Sequence, residues 1–146
     1  MSTLLYTKLR TSLEYEINII PNERLHIAAF CPYLLKYGTP SGTFTFSVLQ
    51  GAVIFFSKTF ISSDISSAGY AHSYFPIVVG DESALQLTAG LYTLRISSAG
   101  YTFSNASHIG WIQQYESKQN KIVYIPDSDY QNSLTVRIKT FNQGIL

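Results

Sequence analysis

From Leu85 to Trp111 the chain reads LQLTAGLYTLRISSAGYTFSNASHIGW, and inside this stretch Tyr92, Leu94 and Ile96 alternate with Thr93, Arg95 and Ser97. Successive side chains of an extended chain point to opposite faces, so the alternation predicts a strand with one buried and one wet side. Ala89-Gly90 in front of it and Ala99-Gly100 behind it predict tight reversals, because glycine takes positive φ without a Cβ clash. Trp111, between Gly110 and Ile112, is expected in the core.

The same period recurs along the chain, which Leu4, Leu5 and Tyr6 open as a short strand or arm. Tyr15, Ile17 and Ile19 alternate with Glu14, Glu16 and Asn18, and Pro21-Asn22 then predicts a turn between two strands. Arg24 to Tyr33 sets Leu25, Ile27, Ala29 and Cys31 on one face, and Pro32, which lacks an amide donor, predicts an edge or a bulge. Gly38 to Gly42 is a loop. Phe44, Phe46 and Val48 face inward against Thr43, Thr45 and Ser47, and Gln50-Gly51 predicts a hairpin into AVIFF. Ile61 to Gly69 carries turn residues with room for one helical turn at most. Strands are expected at Tyr74 to Val79, Ile109 to Tyr115, Ile122 to Ile125 and Leu134 to Lys139, separated by polar turns at Gly80 to Ser83, Glu116 to Lys121 and Pro126 to Asp129.

No window has helical periodicity. About eight to ten short strands with turns every eight to twelve residues or so predict an all-β, antiparallel β-sandwich, jelly-roll-like in character. A chain of 146 residues fits one such domain, with short N- and C-terminal arms. The pentapeptide Ser-Ser-Ala-Gly-Tyr occurs at Ser66 to Tyr70 and again at Ser97 to Tyr101, with unlike flanks, so it reads as one turn chemistry used twice.

Composition narrows the partners. Ten Lys and Arg stand against nine Asp and Glu, and the basic residues are scattered singly, which argues against nucleic acid. Only 13% of residues are charged while 46% are hydrophobic and 14% aromatic, so large neutral surfaces rich in Tyr, Ser and Thr are expected, and a multi-copy assembly would cover them. The single Cys31, in the run IAAFCPYLL, is expected to act as a small buried hydrophobe. The N-terminal residues lack a signal-peptide pattern and no apolar run reaches the length of a membrane span, so the expectation is a chain made in a cytosol, without a membrane partner.

The chemistry-bearing residues form no catalytic set. His26, His72 and His108 have no metal-ligand spacing, no G-x-S-x-G elbow occurs, and no pair stands out among the acids. Neither a metal nor a cofactor is expected. Asp127-Ser128-Asp129 with Asp81 and Glu82 is a calcium arrangement only if distant loops converge, and the turn role of Asp explains it without metal. Asn105-Ala106-Ser107 has the glycosylation pattern and reads as a loop asparagine. Aromatics remain. Sugar-binding sandwiches stack tyrosines on pyranose rings, and Tyr70, Tyr74 and Tyr101 are the candidate glycan contacts.

The run Leu87, Gly90, Tyr92, Leu94, Ile96 has the form L-x-x-G-x-Y-x-L-x-I. It resembles a strand pair of carbohydrate-binding-module-like jelly rolls and of similar sandwiches in tailed-phage virion proteins, among them capsid decoration (cement) proteins and tail or fibre modules. The phage resemblance implies a non-enzymatic structural protein of the virion, held in many copies against the major capsid or other virion proteins. The carbohydrate-binding resemblance implies a lectin-like, glycan- or receptor-binding cleft. The capsid decoration reading leads, because the apolar ends STLLY and FNQGIL suit docking on a neighbour through Leu4, Leu5, Tyr6, Ile145 and Leu146. Its mechanism would be mass action: binding only the assembled shell favours that state by about 2.7 kcal/mol at a free concentration of about one hundred times Kd.

Overall fold

The computed structural model describes residues 5–80, 85–114, 118–126 and 137–141. Among them are eleven strands and one four-residue helix, so the chain is all-β. In order these are β1 (Leu5–Lys8), β2 (Ser12–Cys31), β3 (Tyr33–Tyr37), β4 (Thr43–Gln50), β5 (Val53–Phe60), α1 (Ser62–Ile65), β6 (Tyr70–Tyr74), β7 (Ile77–Val78), β8 (Gln86–Ala99), β9 (His108–Gln114), β10 (Lys121–Pro126) and β11 (Arg137–Thr140). They form two antiparallel sheets. The smaller has the order β1-β9-β3-β6, and the larger β11-β10-β2-β8-β4-β5, with β7 added to β2.

The inward residues of both sheets share one core. Tyr15, Ile17 and Ile19 of β2, Phe44, Phe46 and Val48 of β4, and Tyr92, Leu94 and Ile96 of β8 are buried in it, as their alternation predicts. The smaller sheet contributes Leu34, Ile109 and Trp111. Trp111 joins the layers, its ring stacked on Tyr15 at 4.2 Å between centroids and edge-on to Phe46 at 6.4 Å. Burial raises the Tyr15 hydroxyl well above the ordinary tyrosine value.

Two expected turns are not turns. β8 runs unbroken for 14 residues through Ala89-Gly90, and β2 runs for 20 through Pro21-Asn22. The register passes from Ile19↔Gly90 to Arg24↔Thr88, so Ile20 to Glu23 oppose Ala89 alone. Both signals therefore mark one bulge in two long paired strands, which bend together there. A second irregularity, between Val123 and Tyr124, shifts the phase of β2, so Phe30 rather than Ala29 faces the core. Pro32 is neither edge nor bulge. It is the corner at which the chain leaves the larger sheet and enters the smaller as β3.

The other boundaries agree more closely. Gly51-Ala52 closes the β4–β5 hairpin between the paired Gln50 and Val53, and α1 supplies the single helical turn. The strand expected at Tyr74 to Val79 is instead β6, ending at Tyr74, followed by the two-residue β7. The turns at 81–83 and 127–129 and residues Leu134 to Val136 lie outside the described residues. Cys31 is half-buried beside Lys121, and burial raises its thiol pKa against the opposing effect of that lysine, which disfavours a reactive thiolate. Among the described residues no helix is long and apolar enough to cross a membrane.

Candidate functional site

The smaller sheet has a second face, turned away from the core, and its registers set three rows of side chains across it. Tyr6 of β1 pairs with Ile112 of β9, and Tyr33 of β3 and Tyr74 of β6 continue that row. Lys8, Gly110, Leu35 and His72 form the second. His108, Tyr37 and Tyr70 form the third. Strand alternation alone places these residues on one side, since each is two positions from the next along its strand.

The face has its own apolar floor. Tyr33, Leu35 and Ile112 are buried together, with Tyr6 and Tyr74 packed against them, apart from the main core. Gly110 is the low point. A Cβ there would come 2.8 Å from Cε2 of Tyr6, so the tyrosine ring lies directly on the glycine backbone. Gly38 fixes the end of the third row: φ is +74°, its N–H donates to the Gly69 carbonyl at 2.6 Å, and a side chain would collide with the Ala106 carbonyl.

On this floor the rings are ordered. His108 lies between Tyr6 and Tyr37 with interplanar angles of 10° and 9° and centroid distances of 6.0 and 5.6 Å. Tyr70 stands edge-on to Tyr37 at 84° and 5.7 Å. The Ser104 carbonyl can only accept, so Nδ1 of His108 carries the proton and donates to it at 2.9 Å. In the neutral ring Nε2 then accepts from the Tyr6 hydroxyl at 3.3 Å. The Tyr6 hydroxyl pKa is raised, first by burial and then by the nearby Tyr70 and Tyr37 hydroxyls. His72 Nδ1 bonds the Tyr33 hydroxyl at 2.9 Å. Tyr70 and Tyr37 are open to solvent, 53% and 42% exposed, whereas His108 beneath them is 2% exposed.

A buried asparagine anchors the face from below. Asn120 Oδ1 accepts the Tyr33 backbone N–H at 2.6 Å and the Trp111 indole N–H at 3.0 Å, and its Nδ2 donates to the Ile112 carbonyl at 2.9 Å. One side chain thus ties β3 to β9 and to the core tryptophan.

No family model matches the chain, and no curated protein or solved structure matches it. The residues must carry the reading themselves. The Leu87 to Ile96 run that bears the resemblance contributes packing: Leu87, Tyr92, Leu94 and Ile96 are all in the core.

The three candidate glycan tyrosines divide. Tyr70 is on the face and exposed. Tyr74 is on the same face, half-buried, with its ring edge-on to Tyr33 at 4.8 Å and its hydroxyl accepting the Gln119 N–H at 3.2 Å. Tyr101 is not on the face. Its ring packs edge-on against Phe44 at 5.2 Å and its hydroxyl donates to the Leu9 carbonyl at 2.7 Å, so the two Ser-Ser-Ala-Gly-Tyr copies share no surface. Burial raises the Tyr101 hydroxyl pKa despite the opposing Ile109 N–H and Arg10.

Of the short strand or arm expected at Leu4 to Tyr6, the described residues form the strand. From Leu5 onward the N-terminal segment is β1, an integral strand paired with β9, and Tyr6 spends its ring on its own sheet. Leu4, Ile145 and Leu146 lie outside the described residues. Among the described residues no group of three metal-ligating side chains forms. A cleft of about 280 Å³ between β5, α1 and the Phe75-Pro76 corner is walled mainly by Phe60, Phe75, Pro76 and Ile77, and its one acid, Asp64, already accepts the Ile61 N–H at 2.9 Å. Asn105 is an exposed loop residue whose Oδ1 accepts from Lys8 Nζ at 3.1 Å.

Proposed function

We propose that the protein is a non-enzymatic carbohydrate-binding domain, and that the outer face of the smaller sheet is its sugar platform. The observation that carries this is the pair Tyr37 and Tyr70, exposed at right angles on a floor of buried, hydrogen-bonded rings. A pyranose is amphipathic: its axial C–H groups suit an aromatic ring and its equatorial hydroxyls suit neutral donors and acceptors. Tyr37 offers a ring to stack on, Tyr70 a wall, and the hydroxyls of Tyr6, Tyr37 and Tyr70 offer polar contacts without charge. The rings are held by strands and by His108, which lowers the ordering cost of binding. The described residues of the strands of this face include no carboxylate, so its described polar groups are hydroxyls, imidazoles, amides and the Lys8 ammonium.

Tyr70→Ala and Tyr37→Ala are each expected to weaken oligosaccharide binding in calorimetry by roughly three- to tenfold, the worth of one aromatic contact. Tyr101→Phe, inside the sandwich, is expected to leave affinity unchanged. Equal affinity in all three variants and the native protein would end the platform assignment, as would a glycan array without a ligand.

A second reading, a multi-copy structural protein of a phage virion such as a capsid decoration protein, is favoured by a different place. Ile20, Ile54 and Leu91 are exposed around the tip of the β4–β5 hairpin, with Val53 beside them, on a protein of low charge content. Under this reading sedimentation shows association that rises with concentration and is abolished by Ile54→Lys with Leu91→Lys. A monomer at every concentration would count against it.

A further inference from the structure

We propose that the glycan taken by the aromatic face is acidic, a uronic-acid or similarly carboxylated chain. This rests on the carbohydrate reading and narrows it. Four cations border the face. Lys8 belongs to its second row and is held to Asn105 at 3.1 Å, and the Arg10 guanidinium lies 4.1 Å from the centroid of Phe103, whose ring meets His108 at 5.7 Å. At the opposite corner Lys118 is 5.9 Å from the Tyr33 ring centroid and Lys121 is 4.5 Å from that of Tyr74.

The described carboxylates are elsewhere. Glu14 and Glu16 alternate with core residues of β2 and so lie on the outer face of the larger sheet, where Glu14 pairs with Arg95 at 3.3 Å. Glu23 is in the bulge of β2, and Asp64 is in α1. Four cations, Lys8, Arg10, Lys118 and Lys121, thus border the aromatic face, while the described acids lie off it and one of them, Glu14, is already paired with Arg95 on the larger sheet. Cations at two opposite corners, with neutral rings between them, match a chain that stacks its rings centrally and carries a carboxylate on successive sugars. They do not form the continuous basic track that a nucleic-acid backbone requires.

The mechanism is additive. The rings supply contacts that any pyranose could use, and Lys8, Arg10, Lys118 and Lys121 supply a screened attraction that only an anionic chain feels. The proposal therefore predicts a salt-dependent preference, not an all-or-none choice.

The test is calorimetry of the full chain with hexagalacturonate and hexamannuronate as acidic probes, cellohexaose and mannohexaose as neutral ones, and a dodecameric oligothymidylate as the competing polyanion. At least one uronate is expected to bind about fivefold or more tighter than either neutral hexamer at low salt, and to lose most of that advantage between about 50 and about 300 mM NaCl. Arg10→Gln with Lys118→Gln is expected to reduce the uronate preference and its salt dependence without abolishing either, since Lys8 and Lys121 remain. Because the salt series uses the native protein, it holds even if the double variant folds poorly. Neutral hexamers bound as tightly as uronates, with no salt dependence, would overturn the acidic assignment and keep the sugar platform. Failure of every oligosaccharide would overturn both. Oligothymidylate bound more tightly than any uronate would make the partner a nucleic acid and overturn the proposal.

Discussion

Replacing Asn120 by alanine is expected to lower the free energy of unfolding by about 3 to 5 kcal/mol, a large part of the stability of a domain this size. The side chain is fully buried and serves two donors and one acceptor: the Tyr33 N–H, the Trp111 indole N–H and the Ile112 carbonyl. None of these has water to turn to once the amide is gone, and each buried polar group left without a partner costs about 1 to 3 kcal/mol. A surface hydrogen bond lost to solvent would cost a fraction of that. The backbone carbonyl of Asn120 also accepts the Phe141 N–H at 2.9 Å, so the loop position matters beyond its side chain. Urea denaturation checks the expectation through the midpoint at constant slope. A change below about 1 kcal/mol would mean that the three groups find other partners on relaxation. The variant is also expected to weaken glycan binding, because Tyr33, whose hydroxyl holds His72, loses its backbone anchor.

Asn120 shows where reading from sequence stops. The strands of the larger sheet were legible because their inner and outer residues differ in polarity, as in Tyr92, Leu94 and Ile96 against Thr93, Arg95 and Ser97. Asn120 sits in a polar stretch before Lys121, and nothing local marks it as the residue on which the remote Tyr33 and the nearer Trp111 and Ile112 converge. Its link to Tyr33 exists only once β3 and β9 are neighbours. The bulge opposite Ala89 was misread for a related reason: Pro21-Asn22 and Ala89-Gly90 each satisfy turn chemistry alone, and only their pairing shows that both bend a continuous strand. The aromatic face was partly legible. YLLKY and YAHSY carry Tyr33 and Tyr37, and Tyr70, His72 and Tyr74, at the two-residue spacing of one strand face, yet the expected strands end at Tyr33 and begin at Tyr74, so of this face only Tyr70 and Tyr74 stand out from sequence as glycan contacts. That Tyr6 and His108 complete it, and that Tyr101 leaves it for the core, depends on which strands pair.

Gly110 gives the sharpest separation of face from fold. Gly110→Val is expected to lower glycan affinity by roughly tenfold and stability by about 1 to 3 kcal/mol, the range for forcing bulk into a packed site. The inserted Cβ would occupy the place of the Tyr6 ring, 2.8 Å from Cε2, and the ring must leave. With it go the hydrogen bond to Nε2 of His108 and the parallel packing that holds His108 against Tyr37. Tyr6→Ala removes the same ring without adding bulk, so it is expected to lose affinity to a similar extent at a smaller cost in stability. In the double variant the valine side chain enters the space the tyrosine vacated. Its stability is therefore expected to exceed that of Gly110→Val, a favourable coupling of about 1 kcal/mol or more between residues in direct contact, while its affinity stays low. If the double variant is less stable than Gly110→Val by the whole cost of Tyr6→Ala, the two sites are independent. The ring then does not rest on the glycine, and the platform loses its first row.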